Sequence, residues 1–248
     1  MALMLPLAAL AQDAEFGADL TIGAQKKFGK KWSVGLEAEY RSLDNLKSTD
    51  RVGLGIDASY KAAKWMKFSA GYTFFYNYEP EKLSTYKDTD GAVLDGDADV
   101  GDPKYYSSGY FYPRHRFNVS VAVDKKLIGD FRFSLRERWQ YTWRPEKTIE
   151  RYSYLRDEMD EKTNNGKAHH VLRSRLQVEY DKKGLDFTPY LSVEFYNSWS
   201  LEKMRYTAGC DWDISKQHSL GIFYRYQNVR DGDDPDYHLI GVGYKIKF

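Results

Sequence analysis

Trp32-Ser-Val-Gly-Leu-Glu-Ala-Glu-Tyr-Arg41 divides into two faces when read with a period of two. Trp32, Val34, Leu36, Ala38 and Tyr40 fall on one side, and Ser33, Gly35, Glu37, Glu39 and Arg41 on the other. Successive side chains of a β-strand point to opposite sides, so this stretch is a strand with one apolar and one charged surface. Such a strand fits either a soluble sandwich with charges in water, or a barrel wall that turns its apolar side to lipid and encloses its charges.

Extending outward, the same alternation recurs along the chain. Phe16, Ala18, Leu20, Ile22 and Ala24 form an apolar face, and Phe131 to Arg144 sets Arg132, Ser134, Arg136, Arg138, Gln140 and Thr142 on a polar one. Val52 to Tyr60, Met66 to Tyr78, Phe117 to Val123, Val171 to Tyr180, Phe187 to Tyr196, Arg205 to Ile214, His218 to Asn228 and Tyr237 to Phe248 bring the segments to eleven. Many match the roughly 9 to 11 residues of a tilted membrane-spanning strand better than the roughly 5 to 6 of a globular one.

The connections are sorted as well. Those at residues 26–31, 61–64, 125–129, 181–186 and 215–217 are short and Lys-rich, whereas those at 43–49, 79–114, 145–170, 197–203 and 229–236 tend to be longer and more acidic. Trp32 and Trp65 flank short turns, and Trp139, Trp143 and Trp199 lie near long loops, the placement of two interfacial aromatic girdles. The reading is all-β: an antiparallel transmembrane β-barrel of about 10 to 12 strands, with short periplasmic turns and longer extracellular loops.

Composition agrees. The chain has 248 residues, 42% of them hydrophobic and 16% aromatic, too aromatic for a disordered polymer. Mean hydropathy is −0.68, which a barrel tolerates because only half of each strand faces lipid. No apolar run reaches the roughly 18 residues of a helical span. With 37 basic and 36 acidic residues there is no basic excess for nucleic acid, and the single Cys210 excludes an internal disulfide. Met1 to Ala11 is apolar and ends in small residues, so it reads as a secretory signal remnant, with residues 12–248 a single barrel domain.

The last strand alternates Ile240, Val242, Tyr244, Ile246 and terminal Phe248 with glycines and lysines. Tyr244, Ile246 and Phe248 resemble the C-terminal signature of bacterial outer-membrane proteins that the barrel-assembly machinery reads. More broadly, the chain after Gln12 resembles a domain-of-unknown-function family of outer-membrane barrels from Bacteroidota-type bacteria. The resembling stretches are Leu135 to Thr142, Phe187 to Asn197, Met204 to Gly209 and Asp233 to Phe248. The resemblance implies fold and an outer-membrane location; that family carries no established activity to transfer.

The strand count raises a difficulty. Counting back from a periplasmic Phe248 gives eleven strands, whereas bacterial barrels are normally even. Either the first segment lies outside a ten-stranded wall, or an ascending piece has been missed, or an odd barrel closes through one parallel seam.

On the inward face fall Arg41, Arg116, Arg132, Arg136, Arg138, Arg173, Arg175, Arg205 and Arg225. The carboxylates there are Glu37, Glu39, Asp57, Glu179, Glu194, Asp211 and Asp213. A lumen of this strand number is narrow, and buried charges left alone are strongly destabilising, so these groups are expected to interlock as a paired network that fills the interior. A selective small-solute channel lined by arginines is the second reading. Glu137 breaks the pattern by pointing into lipid. A bulge that reverses the local phase is the simpler account, and contact with a partner protein or a role in lipid chemistry, in a patch shared with Ser174, the sharper one.

Other features carry less. Asp95, Asp97 and Asp99 form a candidate Ca²⁺ loop, though the spacing fits a helix-loop-helix site poorly and a solvated acidic loop is favoured. No nucleophile motif flanks any of the five histidines, and His169 and His170 point to opposite faces, against joint metal ligation. Tyr105, Tyr106, Tyr110, Phe111 and Tyr112 read as an aromatic patch at the outer rim, suited to a glycan or protein or to a structural girdle. Thr148 to Lys162 reads as a short surface helix capped by Thr148.

The sequence therefore points to a non-enzymatic barrel without a required cofactor, acting as a structural or accessory subunit or a small-solute channel. Its expected partners are outer-membrane lipid, the assembly machinery and a membrane protein, with no nucleic acid. The alternatives are a membrane-embedded lipid hydrolase, or an extracellular ligand-binding barrel using its acidic and aromatic loops.

Overall fold

The alternating segments pair into one curved sheet. The computed structural model describes residues 14–86, 100–230 and 235–248, and contains no helix among them. In chain order the strands are β1 (Glu15–Phe28), β2 (Trp32–Leu43), β3 (Ser48–Ala63), β4 (Met66–Glu79), β5 (Lys82–Thr85), β6 (Pro103–Ser107), β7 (Tyr110–Ile128) and β8 (Phe131–Arg144). They continue with β9 (Lys147–Ser153), β10 (Glu158–Asn164), β11 (Lys167–Tyr180), β12 (Phe187–Asn197), β13 (Leu201–Asp213), β14 (His218–Val229) and β15 (Tyr237–Lys247). Eleven of them close a barrel in the order β1-β15-β14-β13-β12-β11-β8-β7-β4-β3-β2.

The wall is antiparallel except where it closes. β1 and β15 run parallel, from Glu15 opposite Tyr237 to Gln25 opposite Lys247, so the antiparallel expectation fails at this one pair and, of the three readings of the odd count, the parallel seam is the one found. An odd number of up-and-down strands leaves its first and last members pointing the same way, so closure requires this seam. Phe248 N–H donates to the Gln25 carbonyl at 2.8 Å, and Phe248's own carbonyl accepts from Lys27 N–H at 3.2 Å, extending the seam to the last residue.

The faces divide as the alternation requires. Leu54, Leu191 and Ile222 are each at least half exposed on the outer surface. Inside, Asp19, Arg41, Gln140, Arg173, Glu194 and Gln227 are buried, and the apolar groups buried with them are few, chiefly Phe75, Tyr112, Val171, Tyr196 and Leu239. That is the reverse of a soluble sandwich, where apolar side chains fill the space between sheets. Inward glycines make room for inward rings: a Cβ on Gly53 would lie 2.6 Å from Phe75 and one on Gly241 2.0 Å from Phe223, each ring being directly opposite on the next strand.

Rings also form two belts on the outer surface. At the short-turn end Trp32 lies 4.8 Å from Tyr60, Phe131 5.3 Å from Tyr180, and Phe187 5.4 Å from Trp212. At the long-loop end Tyr76 stacks on Phe111 at 5.2 Å, His115 on Trp143 at 5.1 Å, and His170 on Trp139 at 5.6 Å. Trp199 stands outside either belt, wholly exposed at a loop.

Above the long-loop end, β5, β6, β9 and β10 make a separate sheet in the order β10-β9-β6-β5. The segment expected to be a helix is therefore the β9–β10 hairpin. Thr148, Ile149 and Tyr152 favour extended backbone, Asp157 takes the left-handed conformation at its turn (φ 54°), and β9 pairs with β6 through Tyr105 and Tyr106. Long-range pairing thus outweighs the capping signal.

Candidate functional site in the barrel lumen

Arginines and carboxylates of the inner wall meet in the middle of the barrel. Asp19 takes Arg41 at 2.5 Å and Arg225 at 3.6 Å. Glu39 takes Arg51 at 2.6 Å and Arg41 at 3.6 Å. Glu194 takes Arg136 at 2.7 Å and Arg173 at 2.9 Å, and accepts a 3.1 Å hydrogen bond from Tyr196 Oη. Arg205 donates from Nε to Gln227 at 2.5 Å, and Arg173 donates to Gln140 at 2.9 Å.

Pairing is not general, and this corrects the expectation of a fully interlocked network. Arg116, Arg138 and Arg175 have no carboxylate within 4.0 Å among the described residues, and the buried Nε of each has no hydrogen-bond acceptor. The cause lies in the register: Arg138 stands opposite Arg173, and Arg136 opposite Arg175, so like charges face each other across β8 and β11 with only Glu194 nearby to share. Toward the short-turn end Glu37, Asp57 and Asp211 are equally without an ion pair among the described residues. At the rim there, Arg132 pairs with Asp181, Glu179 accepts from Gln177 at 2.6 Å, and Asp213 meets Lys247 at 2.8 Å.

At the long-loop mouth lies a cavity of about 670 Å³. Three buried rings, Tyr112 and Tyr196 in its wall and Phe75 beside its Arg51 and Arg116, are each flanked by two guanidinium groups. Arg51 and Arg116 lie 5.0 and 4.4 Å from Phe75. Arg114 and Arg144 each lie 5.4 Å from Tyr112, and Arg173 and Arg205 lie 4.5 and 4.7 Å from Tyr196. All six arginines line the cavity. Asp19 was legible as inward from its position between Ala18 and Leu20. Phe75 and Tyr196 carried no such signal, because the opposite face is aromatic too.

The remaining expectations divide. Glu137 lies on the outer face in an unbroken ladder, so no bulge reverses its phase, and Ser174 Oγ donates to it at 2.7 Å. His169 pairs with Glu202 at 2.8 Å in the mouth, while His170 lies outside against Trp139. The five rings expected as one rim patch are dispersed: Tyr112 is buried, Phe111 stacks outside on Tyr76, and Tyr105 lies under Arg151 at 3.6 Å in the outer sheet. Asp95, Asp97 and Asp99, and the segment Met1 to Ala11, lie outside the described residues. Tyr244 hydrogen-bonds His218 at 2.6 Å on the outer surface, and terminal Phe248 is two-thirds exposed.

Fold and interior together define a closed eleven-strand β-barrel with a charged lumen. More particularly, the chain belongs to the family described as "Protein of unknown function (DUF2490)", whose model matches residues 17–238. No curated protein matches it. Among solved structures it is similar to the CymD monoaromatic hydrocarbon channel at 8% identity, with a TM-score of 0.44 and 88% of this chain and 84% of that one covered. It is also similar to the outer membrane protease OmpT from Escherichia coli at 8% identity, with a TM-score of 0.37 and coverage of 88% and 80%. Likenesses this weak carry nothing over to this chain.

Proposed function

We propose that this chain is a non-enzymatic outer-membrane β-barrel of a Gram-negative, Bacteroidota-type bacterium, whose side-chain-filled lumen admits only small solutes. One observation carries the reading: the outer surface between the two ring belts is apolar, while the inner surface is charged. In water such a surface would be a large uncovered apolar area, which soluble monomers avoid. In a bilayer it is the ordinary lipid-facing band, with aromatic rings at both interfaces. From Trp32 to Tyr40 on β2 the wall rises about 20 Å along the membrane normal, at about 3.4 Å per residue and a tilt of about 40°, close to the height of that band.

The short turns then lie in the periplasm and the outer sheet outside the cell. Ion pairs on Asp19, Glu39 and Glu194 tie nearby strands of the inner wall together, and their long arginine side chains narrow the lumen. The test is reconstitution of the purified protein. Heat-modifiable gel migration and a planar-bilayer conductance far below that of an open porin are expected. Porin-like conductance would exclude a filled lumen, and phospholipid hydrolysis by the folded protein would exclude the non-enzymatic reading.

A further inference from the structure

Six arginines that share one cavity need a reason for the way they are held. A carboxylate orients a guanidinium but cancels its charge and occupies its donors; an aromatic ring orients it and leaves both free. Here Tyr112 and Tyr196 in the wall of the 670 Å³ mouth cavity, and Phe75 next to it, each hold two arginines, of which Arg51 and Arg173 also pair with Glu39 and Glu194. For Arg114, Arg116 and Arg144 no carboxylate lies within 4.0 Å among the described residues. Among the described residues Arg114 donates at 2.6 Å to the Tyr112 hydroxyl, and the buried Nε of Arg116 lacks an acceptor. The cavity wall carries eight lysines and arginines against four carboxylates. Two of those carboxylates are engaged, Asp50 with Arg51 at 3.5 Å and Glu202 with His169 at 2.8 Å.

We propose that this mouth is a binding site for a small soluble polyanion whose charges sit on oxygen, as carboxylates or phosphates. Planar guanidinium groups match such oxygens in bidentate geometry. The volume is that of a small-molecule site. The excess of positive charge in the cavity wall attracts such a solute to the mouth. The proposal rests on the lumen reading above and names the solute class that reading leaves open.

Calorimetric titration of the folded protein in detergent at low salt tests it, with citrate and pyrophosphate as separate probes. Saturable one-to-one binding of at least one probe is expected, weakening as salt rises. Arg116→Gln and Arg144→Gln should each weaken it about tenfold, the scale of one lost charge-assisted contact, and Arg116→Lys by less. Arg132→Gln, at the opposite rim, should leave it unchanged. Absence of saturable binding to the folded wild type overturns the proposal, and so does equal weakening by Arg132→Gln. Heat-modifiable migration, scored on the same samples, reports separately on the barrel, and titration needs no conductance, so failure of the channel reading is distinguishable from failure of the site.

Discussion

Ser174 Oγ on β11 donates a 2.7 Å hydrogen bond to Glu137 Oε2 on β8, directly across the strand pair and on the outer face of the barrel. Val121 stands opposite Glu137 on the other side, and Leu135 and Trp139 flank it on the same face. Among the described residues its neighbour's hydroxyl is the hydrogen-bond donor to that carboxylate. Glu137→Leu is therefore expected to stabilise the barrel in lipid vesicles by about 1–2 kcal/mol, below the cost of a lipid-facing Arg or Lys. Ser174→Ala, which strips the carboxylate of its donor, is expected to destabilise it by about 1–3 kcal/mol. Denaturant unfolding in vesicles measures both. A loss of stability on Glu137→Leu would mean that Glu137 answers a group outside this chain.

The glycine opposite each inward ring makes a second expectation. A methyl group on Gly241 would stand 2.0 Å from Phe223, so Gly241→Ala is expected to cost about 1–3 kcal/mol through overpacking. Because the two residues face each other, Phe223→Ala with Gly241→Ala should cost less than the sum of the single changes. Strict additivity in unfolding free energies would place the ring elsewhere.

How far the sequence reached can be judged from these same residues. Period-two alternation assigned Glu137 and Leu135 outward and Arg136 and Arg138 inward, because the side-chain period of a strand is local. It could not place Arg138 opposite Arg173, since register depends on how two distant segments align. For that reason the charged face was legible and its incomplete pairing was not. The odd strand count likewise allowed a parallel seam but could not choose it, because the β1–β15 contact joins segments far apart in sequence and leaves no local trace. Thr148 misled in the other direction: it can cap a helix, yet contact of β9 with Tyr105 and Tyr106 decided the backbone.

Asp19 is the central carboxylate nearest the seam. It is buried and serves both Arg41 and Arg225, so Asp19→Asn leaves two guanidinium groups without their shared counter-charge. The expected loss is about 3–5 kcal/mol, larger than for Asp213→Asn at the exposed rim, where an ion pair is worth about 0–1 kcal/mol. Unfolding curves of the two variants, compared at equal slope, measure the contrast. Equal effects would mean that the mid-lumen pairs are as solvated as the rim.

The outer sheet supplies a pH dependence. Hydrogen bonds from Arg151, at 2.8 and 3.2 Å, hold the Asp160 carboxyl below the ordinary carboxylate range, with the charge of Arg156 adding to the effect. A carboxylate whose folded pKa is depressed contributes stability that is present above its unfolded pKa and lost as pH falls through the folded one. Hydrogen-exchange protection of the β9–β10 hairpin should thus persist as pH is lowered through the usual aspartate range, and decay only below it. In Arg151→Gln the decay should move up toward the usual range, and Tyr105 should lose the cation stacked on it. Matching acid profiles for the wild type and Arg151→Gln would show that this ion pair does not hold the hairpin together.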